Sequence, residues 1–131
     1  MRISVDQARE YFQHPSQQRE GVGLMPDQLH DDGVTYYATE HMCLLVHEYE
    51  GEPMVHIAVK PEGWGRLDDP CVTLLTWVQA DWNADRLLAL IDENNRAVVR
   101  MANAVGFTGS QQVEMVDKLY TLKEWRRCLH C

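Results

Sequence analysis

The sequence predicts an α/β (α+β) fold, one domain whose mixed, mostly antiparallel sheet is flanked by helices. Three observations carry that reading. Segments of β-branched and aromatic chemistry recur from Val34 onward and are separated by turn residues. Two stretches of helical periodicity fall between the later ones. The resulting order of strand, helix, strand, helix and hairpin belongs to a layered α/β domain. With 131 residues the chain has enough length for one domain with one core.

The elements follow in order. Ser4-Val5-Asp6-Gln7 reads as a capping box opening a short helix through Phe12, which His14-Pro15 should end. Residues 15–33 are polar and read as loop, with one helical turn from Pro26 to His30. Together, residues 1–33 form an abbreviated N-terminal part. Val34–Ala38 is a strand, and His41 to Glu50 is a second. Gly51-Glu52-Pro53 is a turn, and Met54–Val59 a third strand.

After a loop from Lys60 to Asp68, Asp69 caps a helix that takes Pro70 at its first position. Val72, Leu75, Val78 and Trp82 give that helix its apolar stripe, with Trp77 and Trp82 at the core or its edge. The apolar run Arg86–Ile91 is the next strand. Asn94 or Asn95 caps a second long helix with Val98, Met101, Ala102 and Val105 on one face, and Gly106 stops it. Gln112–Val116 and Lys118–Leu122 then form a hairpin. The sheet core is thus 34–122 within a single domain of 1–131, with 123–131 as a tail.

Composition narrows the function classes. Net charge is −8 with a pI near 5.1, so general nucleic-acid binding is disfavoured. Arg126-Arg127, with Lys123 nearby, is the one basic cluster. No apolar run approaches the ~20 residues of a membrane span. Met1–Asp6 lacks the apolar core of a signal peptide, and the expected location is cytoplasmic. Of the four cysteines, Cys128 and Cys131 bracket Leu129-His130. A structural zinc site needs four ligands, and the spacing of His41 and Cys43 does not demand that they complete one, so no metal is expected.

The unit from Arg86 to Phe107 resembles the closing half of a GCN5-related N-acetyltransferase (GNAT) domain. That family commonly has a strand, an Asn, a short helix and Gly-Phe, with the Asn eleven positions before the Gly. Asn95 and Gly106 hold that spacing. The resemblance extends from about His41 to Leu122. It implies that Met54–Val59 and Arg86–Ile91 are neighbouring parallel strands that splay apart to admit the pantetheine arm of acetyl-CoA. It also implies acyl transfer from a thioester to an amine.

By the resemblance, Val59 ends the strand beside the cofactor and Asn95 contacts the pantetheine. Asn95 has a second reading as a helix cap. The family's pyrophosphate loop is Gln or Arg, two residues, Gly, one residue, then Gly or Ala. Here it is replaced by Gly63-Trp64-Gly65-Arg66-Leu67-Asp68-Asp69-Pro70. Gly63, Gly65 and Arg66 can make a reshaped anion cradle, or the segment is a structural turn. Asp68 and Asp69 would compete with phosphate for the free N–H groups of the helix start. The position of the family's acid tyrosine is Ala102. His56 is the candidate base, or a sheet histidine.

Two functions follow. One is an acetyl-CoA-dependent N-acetyltransferase acting on a small amine. The other is a catalytically degenerate protein, similar to small GNAT-like bacteriophage proteins, that serves as a virion structural, assembly or binding module. For the second, the partners are proteins and the location is the phage particle. A homo-oligomer or larger assembly is compatible with either.

Overall fold

The computed structural model describes residues 1–13, 32–60, 68–115 and 118–126. Ten elements follow in chain order among the described residues. They are β1 (Arg2–Ile3), α1 (Val5–Phe12), β2 (Val34–Ala38), β3 (Met42–Tyr49), β4 (Glu52–Val59), α2 (Asp68–Asp81), β5 (Leu87–Ile91), α3 (Arg96–Val105), β6 (Thr108–Met115) and β7 (Lys118–Trp125). The strands form one sheet in the order β1-β2-β3-β4-β5-β7-β6. Every neighbouring pair is antiparallel except β4 and β5, which are parallel and connected through α2. The expected mixed, mostly antiparallel sheet flanked by helices is what the chain forms.

Strand alternation sorts the core onto two faces. Met42, Leu44 and Val46 of β3, Val55 and Val59 of β4, and Leu87, Ala89 and Ile91 of β5 pack with α2 and α3. Cys43, Leu45 and Ala58 face the other way, against Ala8 and Phe12 of α1. The α1 capping box is formed. The Gln7 N–H donates to Ser4 Oγ at 3.2 Å and the Ser4 N–H donates to Gln7 Oε1 at 3.0 Å.

Several boundaries differ from the sequence reading. β1 was not anticipated, because a two-residue edge strand has no periodicity to read; Arg2 lies opposite Tyr37. α2 begins at Asp68, so Asp69 is a helical residue and Pro70 the third position. Proline is tolerated there because the first helical N–H groups have no intrahelical acceptor. Leu74 joins Leu75 and Val78 in the buried stripe of α2. Val72 and Trp82 are only partly buried, and Trp77 is 48% exposed, which removes it from the core.

The closing hairpin is longer than Gln112–Val116 and Lys118–Leu122. β6 starts at polar Thr108, since an edge strand can pair through its backbone while its side chains face water. β7 continues to Trp125, because it pairs with β5 along Leu87–Ile91. The indole N–H of buried Trp125 donates to the Val105 carbonyl at 2.9 Å, tying the end of α3 to the sheet. The helix end after His14-Pro15, the turn at Pro26–His30 and the Cys128–Cys131 terminus lie outside the described residues.

Two glycines hold conformations that a side chain resists. Gly106 ends α3 with φ 106°, its N–H bonded to the carbonyls of Ala102 and Asn103. A Cβ added there meets nothing closer than 3.8 Å, so backbone conformation alone sets the penalty. Gly109 has φ 127° at the register shift in β6, and an added Cβ would lie 2.8 Å from the Leu122 carbonyl oxygen. Gly106→Ala is expected to cost about 1 kcal/mol. Gly109→Ala should cost more, because it adds a backbone clash to the same strain. Chemical denaturation of the two variants checks the order; equal midpoints would count against it.

Candidate functional site

The candidate site grows from the parallel pair at the centre of the sheet. β4 and β5 are in register at one position, Met54 opposite Leu88. Past it, neither Val55–Ala58 nor Ala89–Ile91 has a register partner on the other strand, although β4 stays paired with β3 and β5 with β7. The two strands therefore part toward their carboxyl ends. Such a crevice, where parallel strands end, is where α/β sheets commonly receive ligands.

The closed end of this fork is held by ions. Arg86, just before β5, donates from Nε and Nη2 to the two carboxylate oxygens of Glu52 on β4, at 2.6 and 2.7 Å. Its Nη1 reaches Glu124 on β7 at 2.7 Å, and Arg126 adds a contact to Glu124 at 3.4 Å. The planar guanidinium thus bridges three strands with the bidentate geometry that a lysine cannot supply. Hydrogen bonding to Arg86 holds both carboxyl groups below the ordinary value of 4.5.

At the open end stands Asn95, between β5 and α3. Its side-chain oxygen accepts the Val98 N–H at 3.4 Å, so the capping reading of Asn95 holds. The side-chain amide keeps two N–H donors of its own. Asn94 is not the cap; its backbone N–H donates to Asp92 Oδ1 at 3.0 Å. Val59 ends β4 at the same side of the sheet, buried on the α2 and α3 face. Gly63, Trp64, Gly65 and Arg66 lie outside the described residues. Ala102 is 5% exposed and packed in the core, where it offers no acid.

His56 lies two residues past the last β4–β5 register, on the face opposite to Val59 by strand alternation. It is half-buried, and its Nε2 is 2.8 Å from Nε2 of His47 on β3. The rings are nearly parallel, with 17° between planes and centroids 4.9 Å apart. The other nitrogen of His47, Nδ1, lies 2.9 Å from the Glu48 carbonyl oxygen. Burial, and then the neighbouring His47, push His56 down from the ordinary 6.5 to about 4. Above that pH His56 is neutral and holds a lone pair.

His47 was missed by the sequence reading, though a signal was present. A two-residue turn at Glu50-Gly51, both with positive φ, sets Tyr49 opposite Glu52. Counting outward puts His47 opposite Met54 and Leu45 opposite His56, so the two histidines are diagonal neighbours on one face. The described residues hold no group of three metal-ligating side chains, and none of their helices is long and apolar enough to cross a membrane. Cys43 is buried and its thiol is pushed up to about 12, which withholds the thiolate a nucleophile needs.

No protein-family model matches the chain, and no curated protein does. Solved structures do. The aminoglycoside acetyltransferase AAC(6')-Ib in complex with coenzyme A is similar at a TM-score of 0.72 and 12% identity, over 97% of this chain and 93% of that one. A putative GNAT-family acetyltransferase from Bordetella pertussis gives 0.64 and 19%, over 92% and 90%. The ribosomal-protein-S5-alanine acetyltransferase from Vibrio fischeri gives 0.59 and 12%, over 72% of this chain. The chain spans 62% of the length of that protein, and the same share of a similar Bacillus halodurans protein. The fold is therefore the GNAT fold.

Two stability measurements probe the site. Arg86→Met should destabilise the protein and flatten its acid side. The Glu52 and Glu124 contributions are present above pH 4.5 and are lost as pH falls through their lowered folded values. Urea midpoints of wild type and variant between pH 3 and 7 check this, and parallel curves would exclude the clamp.

His56 acts in a different window. Its folded value lies below the ordinary one, so the unfolded chain takes up the proton first. Stability should fall as pH drops from 6.5 to about 4. Arg86, Glu52 and Glu124 at the base of the fork, and Cys43 on the same face, hold their charge states through most of that window. His56→Gln should remove that part of the slope, read from thermal midpoints against pH.

Proposed function

We propose that this chain transfers an acetyl group from acetyl-CoA to an amine, as a GNAT-type N-acetyltransferase. The parting of β4 and β5 beyond Met54 and Leu88 carries the reading, because it opens the sheet where an extended thioester arm would lie. The residues fit that group in part. The Asn95 amide stands at the end of the fork where the two strands have lost register. Gly63, Gly65 and Arg66, which follow Val59 in the chain, are the proposed phosphate cradle.

Acetyl-CoA supplies the activated acetyl group. The chain's own part is to hold the amine, take its proton and exclude water. His56 takes the proton. The amine nitrogen would form the new bond to the acetyl carbon as the carbon–sulfur bond breaks, and the leaving thiolate would take its proton from water. At a value of about 4, His56 is competent to accept but is a weaker base than an ordinary histidine. Small amines are the proposed substrate class, in line with structural neighbours solved with ribostamycin or paromomycin.

A second reading has its own observation. Asn95 already spends its oxygen on Val98, and Ala102 fills the family's tyrosine position with a buried methyl. Both suit a non-catalytic GNAT-fold binding or assembly module. Calorimetric titration with acetyl-CoA, followed by acetylation assays on a panel of small amines, separates the two. The enzyme reading expects binding and turnover, with His56→Gln lowering kcat by about 100-fold or more and leaving acetyl-CoA affinity intact. Absence of binding would carry the module reading instead.

A further inference from the structure

The two histidines sit in a chain of hydrogen bonds whose order can be worked out from one end. A carbonyl oxygen only accepts, so Nδ1 of His47 must carry the proton it shares with the Glu48 carbonyl at 2.9 Å. When the His47 ring carries only that proton, its Nε2 holds a lone pair. The contact of 2.8 Å to Nε2 of His56 is then a hydrogen bond only if His56 donates. Nε2 of His56 therefore carries the proton of that ring, and Nδ1 of His56 is its lone-pair atom.

We propose that His47 is a positioning residue for the base: through its Nε2 it fixes His56 in the Nε2–H tautomer and makes Nδ1 of His56 the atom that receives the amine's proton. The inference rests on the reading of His56 as the base. The proton count closes. The amine's proton moves to Nδ1 of His56, which becomes an imidazolium. Its Nε2–H stays donated to Nε2 of His47, whose Nδ1–H stays donated to the Glu48 carbonyl. No proton needs to leave the pair during the step.

The register of the β3–β4 hairpin supplies the geometry. Leu45 is opposite His56 and Met54 opposite His47, so each ring leans along the sheet toward the other. An imidazole without His47 would be free to exchange tautomers and to rotate about its side-chain bonds. A base with its lone pair on the wrong nitrogen loses most of its effect even when its position is kept.

Long-range ¹H–¹⁵N spectra of histidine-labelled protein at pH 8 test the assignment without any assay of activity. His56 should show a protonated Nε2 and an unprotonated Nδ1, and His47 the reverse. In His47→Leu the His56 pattern should become a mixture, with kcat lower by about tenfold or more and the KM for acetyl-CoA unchanged. His47→Gln, which keeps an oxygen acceptor, should restore both the pattern and part of the rate.

A proton on Nδ1 of His56 in the wild type overturns the proposal. So does a His47→Leu variant in which the His56 pattern is unmoved. Nitrogen shifts that change on adding a chelator would show a metal between the rings, and would overturn it too. If no amine is acetylated by any form, the acetyltransferase reading fails, while the spectra still decide the tautomer.

Discussion

The architecture depends on one constraint: β4 and β5 are held together at one end and released at the other. A parallel pair in mid-sheet normally continues its ladder, because an unpaired backbone group inside a protein is costly. Here the ladder has a single register, Met54 with Leu88. What keeps the strands from separating altogether is the covalent crossover through α2 and the Arg86 bridge among Glu52, Glu124 and their strands. The bidentate geometry restricts motion at the base.

That fork separates two chemical environments. On one face α2 and α3 cover an apolar cluster running from Val59 to Trp125. On the other, α1 covers a smaller cluster, and the two histidines occupy the same face of β3 and β4. Between them the β4–β5 ladder stops after Met54 and Leu88. His56 lies on the α1 face and Asn95 at the α3 end of the fork, the two places where the proposed function puts the amine and the arm. The low basicity of His56 follows from the same placement, since burial disfavours its charged form and His47 adds to that.

Much of the fold was legible because short-range rules and tertiary packing agree. Ser4 with Gln7, and Asn95 with Gly106, mark helix ends through bonds made within a turn or two, and all four act as read. The neighbouring parallel strands followed from the family resemblance. Other features were not legible. Thr108–Gln111 is polar and lacks strand alternation, yet it pairs at the sheet edge because β7 presents a free side there. Trp77 fits a helical stripe loosely, and only the packing of α2 reveals that it faces outward. Trp125 looked like part of a tail, whereas its indole closes α3.

The candidate site divides in the same way. Val59 and Asn95 were named as candidates through the family resemblance, and His56 through its place in the strand that Val59 ends. The sequence by itself determined which residues can cap, turn and alternate, since those properties depend on neighbours within a few positions. It also determined the sheet's layered class, through the order of the segments. Only the tertiary structure decided that β4 and β5 part after one register, that Arg86 meets two carboxylates from distant strands, and that His47 meets His56. Those are contacts between residues far apart in the chain or on different strands. Their distances depend on how the strands twist and diverge, which no local pattern of residues encodes.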